Sequence, residues 1–208
     1  MKHILLIVAL VLVVAACNLT SKLKSNGNSN SSSSSSGNPT KIGDDPVEKP
    51  NPTAAQTAAI ANGQEVKWDQ QGITWTLPAN WKKMDVRNES LSYGGNGAFL
   101  TVAISVMPQM ENLTDVSIKA MFEGAKTNQK IGKNDEVRWL ELDGVRGVGF
   151  REAKPEMADD IRRLEWQAYR KYAGSTQLVT MILSSNGANF PNHADELYGI
   201  LYSTKLVH

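Results

Sequence analysis

EVRWLELDGVRGVGFRE, residues Glu136–Glu152, consists of two apolar-rich runs joined by Asp143-Gly144. Asp-Gly between such runs marks a two-residue β-hairpin loop, because both loop residues must take positive φ. The stretch therefore predicts antiparallel strands at Glu136–Leu142 and Val145–Glu152. The same pattern spreads outward from it. Arg162–Tyr172 sets Leu164, Trp166 and Ala168 against Arg163, Glu165 and Gln167, the period of two of a strand with distinct faces. Gln177–Leu183 (QLVTMIL) is almost continuously apolar, as expected of a central strand. Upstream, Leu91–Tyr93, the turn GGNG (Gly94–Gly97) and Phe99–Met107 predict a further hairpin, with Leu100, Val102, Ile104 and Val106 on one face. EVKWDQQGITWTLP (Glu65–Pro78) reads as two short strands around Gln71-Gly72, stopped at Pro78.

Two helices complete the pattern. Thr114-Asp115 supplies a polar start and a first-turn acid, and Ile118, Met121, Phe122 and Ala125 form one apolar stripe. After Pro191, Asn192 is the expected cap, with Asp195 three residues on and a stripe of Ala194, Leu197, Tyr198 and Leu201. Hairpins dominate, so the sheet should be largely antiparallel. Strands apolar on both faces need cover on both. The expectation is an α+β fold over residues 65–208, with helices packed on both faces of the sheet, an α/β/α sandwich.

The N-terminus is organised differently. Met1-Lys2-His3 precedes an apolar run, Ile4–Val14, and then Ala15, Ala16 and Cys17. This is the layout of an export signal, and the run is shorter than the roughly 20 residues of a membrane span. Val14-Ala15-Ala16-Cys17 resembles the lipobox of bacterial lipoproteins: an aliphatic residue, two small residues and a cysteine. That resemblance implies a signal peptide over 1–16 and lipidation of Cys17, a thiol being the good nucleophile for taking a diacylglyceryl group. Two or more acyl chains give stable anchoring where one is marginal. Asn18 stands where an inner-membrane retention signal has Asp, which leans the resemblance toward an outer membrane facing the periplasm if the source is Gram-negative. Residues 17–64, with SNGNSNSSSSSSGNPT at Ser25–Thr40 and prolines at 46, 50 and 52, read as a disordered Ser/Asn/Pro-rich tether. For ~45 residues its coil would span roughly 35–40 Å. Drawn out, it would reach about 150 Å. Ala54–Ala61 has helix propensity but no stripe, so a helix there should be marginal.

The 208 residues are 41% hydrophobic and 21% charged, with 22 basic and 21 acidic side chains. This balance argues against a nucleic-acid binder and against attachment to anionic lipid by charge. A single cysteine rules out an intramolecular disulfide or a Cys-based metal cage.

GITWTLPANW (Gly72–Trp81) resembles the aromatic, strand, Leu-Pro-x-x-Trp phrase that opens the PsbP-like superfamily. ELDGVRGVGF (Glu141–Phe150) and the closing YSTKLV (Tyr202–Val207) fall in the order found in that group. The resemblance covers about residues 66–207. It implies an antiparallel sheet between helices and a binding or assembly role. It carries no catalytic residue set.

The residues hold few chemical candidates. Ser184 or Ser185, His193 and Asp195 lie near one another in sequence, yet no Gly-x-Ser-x-Gly elbow surrounds either serine. His193 is expected as a solvent-facing first-turn histidine. Gly94–Gly97 lacks the Lys-Ser/Thr of a phosphate loop and leads into a strand. Glu152, Glu156, Asp159 and Asp160 form an acidic loop interleaved with Arg151, Lys154, Arg162 and Arg163; a self-neutralising loop and a weak metal site both remain open. Trp68, Trp75, Trp81, Trp139 and Trp166 read as core or sheet-face residues, with glycan stacking as the alternative. The glycosylation-type sequons at Asn88 and Asn112 are irrelevant in a bacterial protein. The expectation is a non-catalytic, lipid-anchored envelope protein that binds a protein partner, with no cofactor, no assigned metal ligand and no nucleic acid. A protein that binds a small ligand, metal or glycan is the alternative, and an envelope hydrolase the remote one.

Overall fold

The computed structural model describes residues 46–108 and 114–207. The signal-like segment, Val14, Ala15, Ala16, Cys17, the Ser25–Thr40 run and Asn112 lie outside the described residues. Within them the order is β1 (Val47–Glu48), α1 (Ala54–Ile60), β2 (Gln64–Trp68), β3 (Ile73–Leu77), β4 (Lys82–Val86), β5 (Ser90–Gly95), β6 (Ala98–Val106) and α2 (Thr114–Lys130). There follow β7 (Asn134–Leu142), β8 (Val145–Glu152), β9 (Ile161–Tyr172), β10 (Ser175–Asn186), α3 (Phe190–Tyr202) and β11 (Lys205–Leu206).

The Asp143-Gly144 hairpin forms as expected. Its two residues have φ of 47° and 85°, and Trp139 pairs Val148 across it. Asn96 and Gly97 make the equivalent turn between β5 and β6, with φ of 54° and 82°. One large sheet runs β1-β7-β8-β9-β10-β6-β5-β4, antiparallel except where β1 joins β7. The long apolar strand β10 is central, between β9 and β6.

Helices cover both faces, which establishes the α/β/α arrangement. Leu140 and Leu142 of β7 point into a core with Leu164, Trp166, Val179, Met181, Leu183 and α3. Val137, Trp139 and Val148 pack instead under Ile118, Phe122 and Ala125 of α2. Trp139 and Leu140 are neighbours in one strand, so the two clusters lie on opposite faces.

GITWTLP forms its expected strand outside the large sheet. β3 pairs with β2 and β11 in a separate three-stranded sheet on the α3 side, where Trp75 and Leu77 are fully buried. The α3 helix starts earlier than expected: Asn189, not Asn192, is its cap, and Pro191 sits in the first turn, where its missing N–H costs nothing. Val106 is exposed at the end of β6 although Leu100, Val102 and Ile104 are buried.

The tether was expected to reach residue 64. Residues 47–60 instead form β1 and α1. Thr53 accepts a hydrogen bond from the Gln56 amide, and Gln56 Oε1 accepts one from the Thr53 amide, a complete capping box. The helix lies on α3 at Gly199, where a Cβ would stand 2.6 Å from the Gln56 carbonyl oxygen. Tertiary docking supplies what an isolated seven-residue helix lacks.

Candidate functional site

The large sheet is covered unequally. On the α3 side every central strand is sealed: Leu100, Trp166, Ala168, Val179, Met181 and Leu183 are all buried. On the other side α2 packs over β7, β8 and β9. Directly paired residues share a face, so the pairing traces where that cover stops. One row runs Trp139, Val148, Gln167, Thr180, Ala103, Ser90. A second runs Phe150, Glu165, Ile182, Thr101, Ser92. Each row begins beside α2 and ends on half-exposed residues of β10, β6 and β5. This open half-face carries hydroxyls interspersed among Ile182, Leu178 and Ala103; Ser92 and Thr101 hydroxyls lie 3.4 Å apart. Glu165 is its acid. Burial raises the Glu165 pKa, and the nearby Glu152 carboxylate adds to that; Gln167 Nε2 donates to it at 3.3 Å.

Clefts flank α2 at both ends. A cavity of about 310 Å³ lies between Thr114, Asp115 and Ile118 of the first turns and Arg146, Tyr169 and Lys171 of the sheet. At the other end, about 700 Å³ opens among Lys133, Glu152, Lys154, Glu156, Asp160 and Arg163. Glu152 there is engaged by Arg163 Nη1 at 2.9 Å and by the Arg163 amide. No group of three or more His, Cys, Asp or Glu converges among the described residues.

Under α3 lies a charged network. Arg138 Nη1 donates to Glu48 at 2.9 Å and Nη2 to the Tyr202 hydroxyl at 2.6 Å. Burial works against the Arg138 charge, but Glu136, Tyr202 and Glu48 outweigh it. Arg151 bridges Asp135, at 2.7 Å, and the Tyr198 hydroxyl, which itself donates to Glu136. Arg162 also binds Asp135. Neighbouring acids in a regular strand would face opposite ways. The irregular register between Asn134 and Glu136 lets Asp135 and Glu136 serve the same arginine. Burial pushes the Tyr198 pKa upward, reinforced by Glu136. The network balances its charges internally, as a structural clamp between helix and sheet does.

Arg170 is a second clamp. It is 5% exposed, donates to Gln177 Oε1 at 3.1 and 3.2 Å, and reaches the carbonyls of Val207 and Gln71. It thereby ties the small sheet and the C-terminal strand to the large one. Burial lowers its pKa, opposed by Tyr172.

The sequence-derived catalytic candidates do not assemble. Ser184 and Ser185 face opposite sides of β10, and Ser185 Oγ donates to the Asn186 carbonyl. His193 is half-buried, not solvent-facing, and its Nδ1 lies 3.9 Å from Glu196 Oε1. Asp195 is exposed. All five tryptophans are 3% exposed or less, which removes glycan stacking on them. Sequence reasoning missed the open half-face. Its signal is a run of Ser and Thr, at 90, 92, 101 and 180, alternating with fully apolar positions.

No protein-family model matches the chain, and no curated protein matches it. Among solved structures, the chain is similar to cyanobacterial PsbP from Synechocystis sp. PCC 6803, with TM-score 0.49 and 15% identity over 69% of this chain and 92% of that one. It is similar to the Ran-binding protein Mog1p of Saccharomyces cerevisiae, with TM-score 0.42 and 12% identity over 70% and 96%. It is also similar to LpqN, involved in cell envelope biogenesis of Mycobacterium tuberculosis, with TM-score 0.45 and 10% identity over 76% and 99%.

Proposed function

We propose that this chain is a lipid-anchored, non-catalytic protein of the bacterial cell envelope whose domain binds another protein through the open half of its large sheet. One observation carries the binding reading: α2 packs mainly over β7, β8 and β9, and among the described residues Ile182, Thr180, Thr101 and Ser92 of β10, β6 and β5 stay half-exposed. A surface of mixed aliphatic and hydroxyl groups matches the average polarity of non-obligate protein interfaces. The anchor rests on Val14-Ala15-Ala16-Cys17, and the low-complexity run after it gives the domain reach. Among the described residues no helix is long and apolar enough to cross a membrane, so attachment falls to the lipid in this reading.

Photo-crosslinking residues placed at Thr101 and Thr180 of the full-length protein in cells test the surface. The expected result is one specific adduct, lost when Ile182→Glu is added with the melting temperature little changed. Adducts that persist with Ile182→Glu, or none at all, would refute the face. For the anchor, Cys17→Ala should abolish incorporation of a labelled fatty acid and release the protein from membranes. Continued attachment would sink that part alone.

A further inference from the structure

Glu165 stands at the margin of the open half-face. It pairs in register with Phe150 of β8 on one side and Ile182 of β10 on the other. It is half-buried, so part of its side chain meets solvent. Beyond it, Ile182, Thr101 and Ser92 in its own row and Thr180, Ala103 and Ser90 in the next are uncharged. Glu165 therefore sets one negative charge beside an uncharged stretch of surface.

That charge has no cation of its own. Among the described residues no Lys, Arg or His nitrogen lies within ion-pairing distance of the carboxylate. Its side chain accepts a hydrogen bond from the neutral Gln167 amide, at 3.3 Å. Arg163 stands two residues earlier on the same face, but its guanidinium is engaged by Glu152, at 2.9 and 3.3 Å. Burial, and then the Glu152 charge, raise the Glu165 pKa against smaller opposing effects of Gln167 and Arg163. A glutamine here would keep the shape and the hydrogen bonding without the cost of a desolvated charge. The ionised group thus works against folding, and such local conflicts cluster where a protein functions.

We infer that the protein docking on the open half-face places a Lys or Arg side chain on Glu165. The inference rests on the proposed reading of that face and adds the chemistry of the partner. An incoming cation supplies the charge that the carboxylate lacks. Hydrogen bonds between two ionised groups are shorter and stronger than neutral ones, so a basic side chain gains more here than an amide or hydroxyl. A charge pair at the margin of an uncharged surface also fixes the register of the docked protein, because a shifted partner would leave both charges unpaired.

A photo-crosslinking residue at Thr101 of the full-length protein in cells, two strands from Glu165 in the same row, gives the readout. It is combined in turn with Glu165→Gln, Glu165→Asp and Glu165→Lys. The expected result is an adduct whose yield falls about tenfold or more with Glu165→Gln and further with Glu165→Lys. Glu165→Asp keeps the charge and should restore part of the yield. The purified Glu165→Gln protein should at the same time melt higher than the Glu165 protein at neutral pH. An adduct lost in a more stable variant cannot be lost through misfolding. A yield unchanged in both Glu165→Gln and Glu165→Lys overturns this inference and leaves the surface standing. The absence of any adduct from the Glu165 protein removes the surface, and this inference with it.

Discussion

The two faces of the large sheet carry the same alternation and meet different fates. On the α3 face, Leu183, Met181 and Val179 of β10 are fully buried against α3 and the small sheet. On the opposite face of the same strand, Ile182, Thr180 and Leu178 are only half-buried, because α2 packs mainly over β7, β8 and β9. One residue step along β10 thus separates a sealed core from a surface. The difference lies in the neighbours each face has to pack against, since both faces contain β-branched and aliphatic residues. Burial energy accrues only where apolar atoms leave water, so identical strand chemistry stabilises one side and leaves the other available for binding.

The sharpest way to break this comparison is a pair of truncations in adjacent residues. Leu183→Ala should cost about 2–5 kcal/mol through lost burial and a cavity. Ile182→Ala should cost about 1 kcal/mol, the scale of strand preference on a half-open face. Denaturant unfolding measures both, and equal costs would show that the open face is covered in solution.

A smaller effect tests the added layer on the α3 side. Glycine is normally the worse helix residue, so Gly199→Ala in an isolated α3 would gain up to about 1 kcal/mol. With α1 seated on it, the new Cβ meets the Gln56 carbonyl, and the change should cost about 1–3 kcal/mol instead. A stabilised variant would mean that α1 is not held there.

The smallest effect belongs to the open face. The folded-state pKa of Glu165 is raised by burial and then by Glu152, so its ionised form is penalised in the folded protein. For an acid shifted in this direction the penalty is absent below the unfolded value, near 4.5, and is fully present above the raised folded value. Glu165→Gln should therefore raise the melting temperature at neutral pH, and the gain should fade by about pH 4. A gain independent of pH would place the cause elsewhere.

Much of this was legible in the residues. Asp143-Gly144 predicted its hairpin because positive φ at both loop positions is a local demand. The stripe of α2 appears where expected, with Ile118, Phe122 and Ala125 buried. Other features carried no local mark. The edge strand β4, KKMDV, is exposed at every position and has no alternation to read. The loop Ala173-Gly174 makes a tight turn with an alanine at φ 48°, a conformation the sequence gives no reason to expect. The charged clamp of Arg138, Arg151 and Arg162 joins residues 48, 135, 136, 198 and 202, and no spacing along the chain announces it.

By itself, the sequence determined the hairpin strands, the long strands β9 and β10, the two long helices and the class of fold, because these follow from periodicity and turn chemistry within a few residues. It also carries the lipobox-like Val14-Ala15-Ala16-Cys17, a motif that is linear by nature. Only the tertiary structure decided that residues 47–60 dock as β1 and α1, that GITWTLP builds a separate sheet, and that half of one face stays open. It also decided that the Trp139 indole N–H is buried without a partner among the described residues. Each of these depends on which distant surfaces meet and bury one another, and periodicity within a strand or helix does not specify its partner.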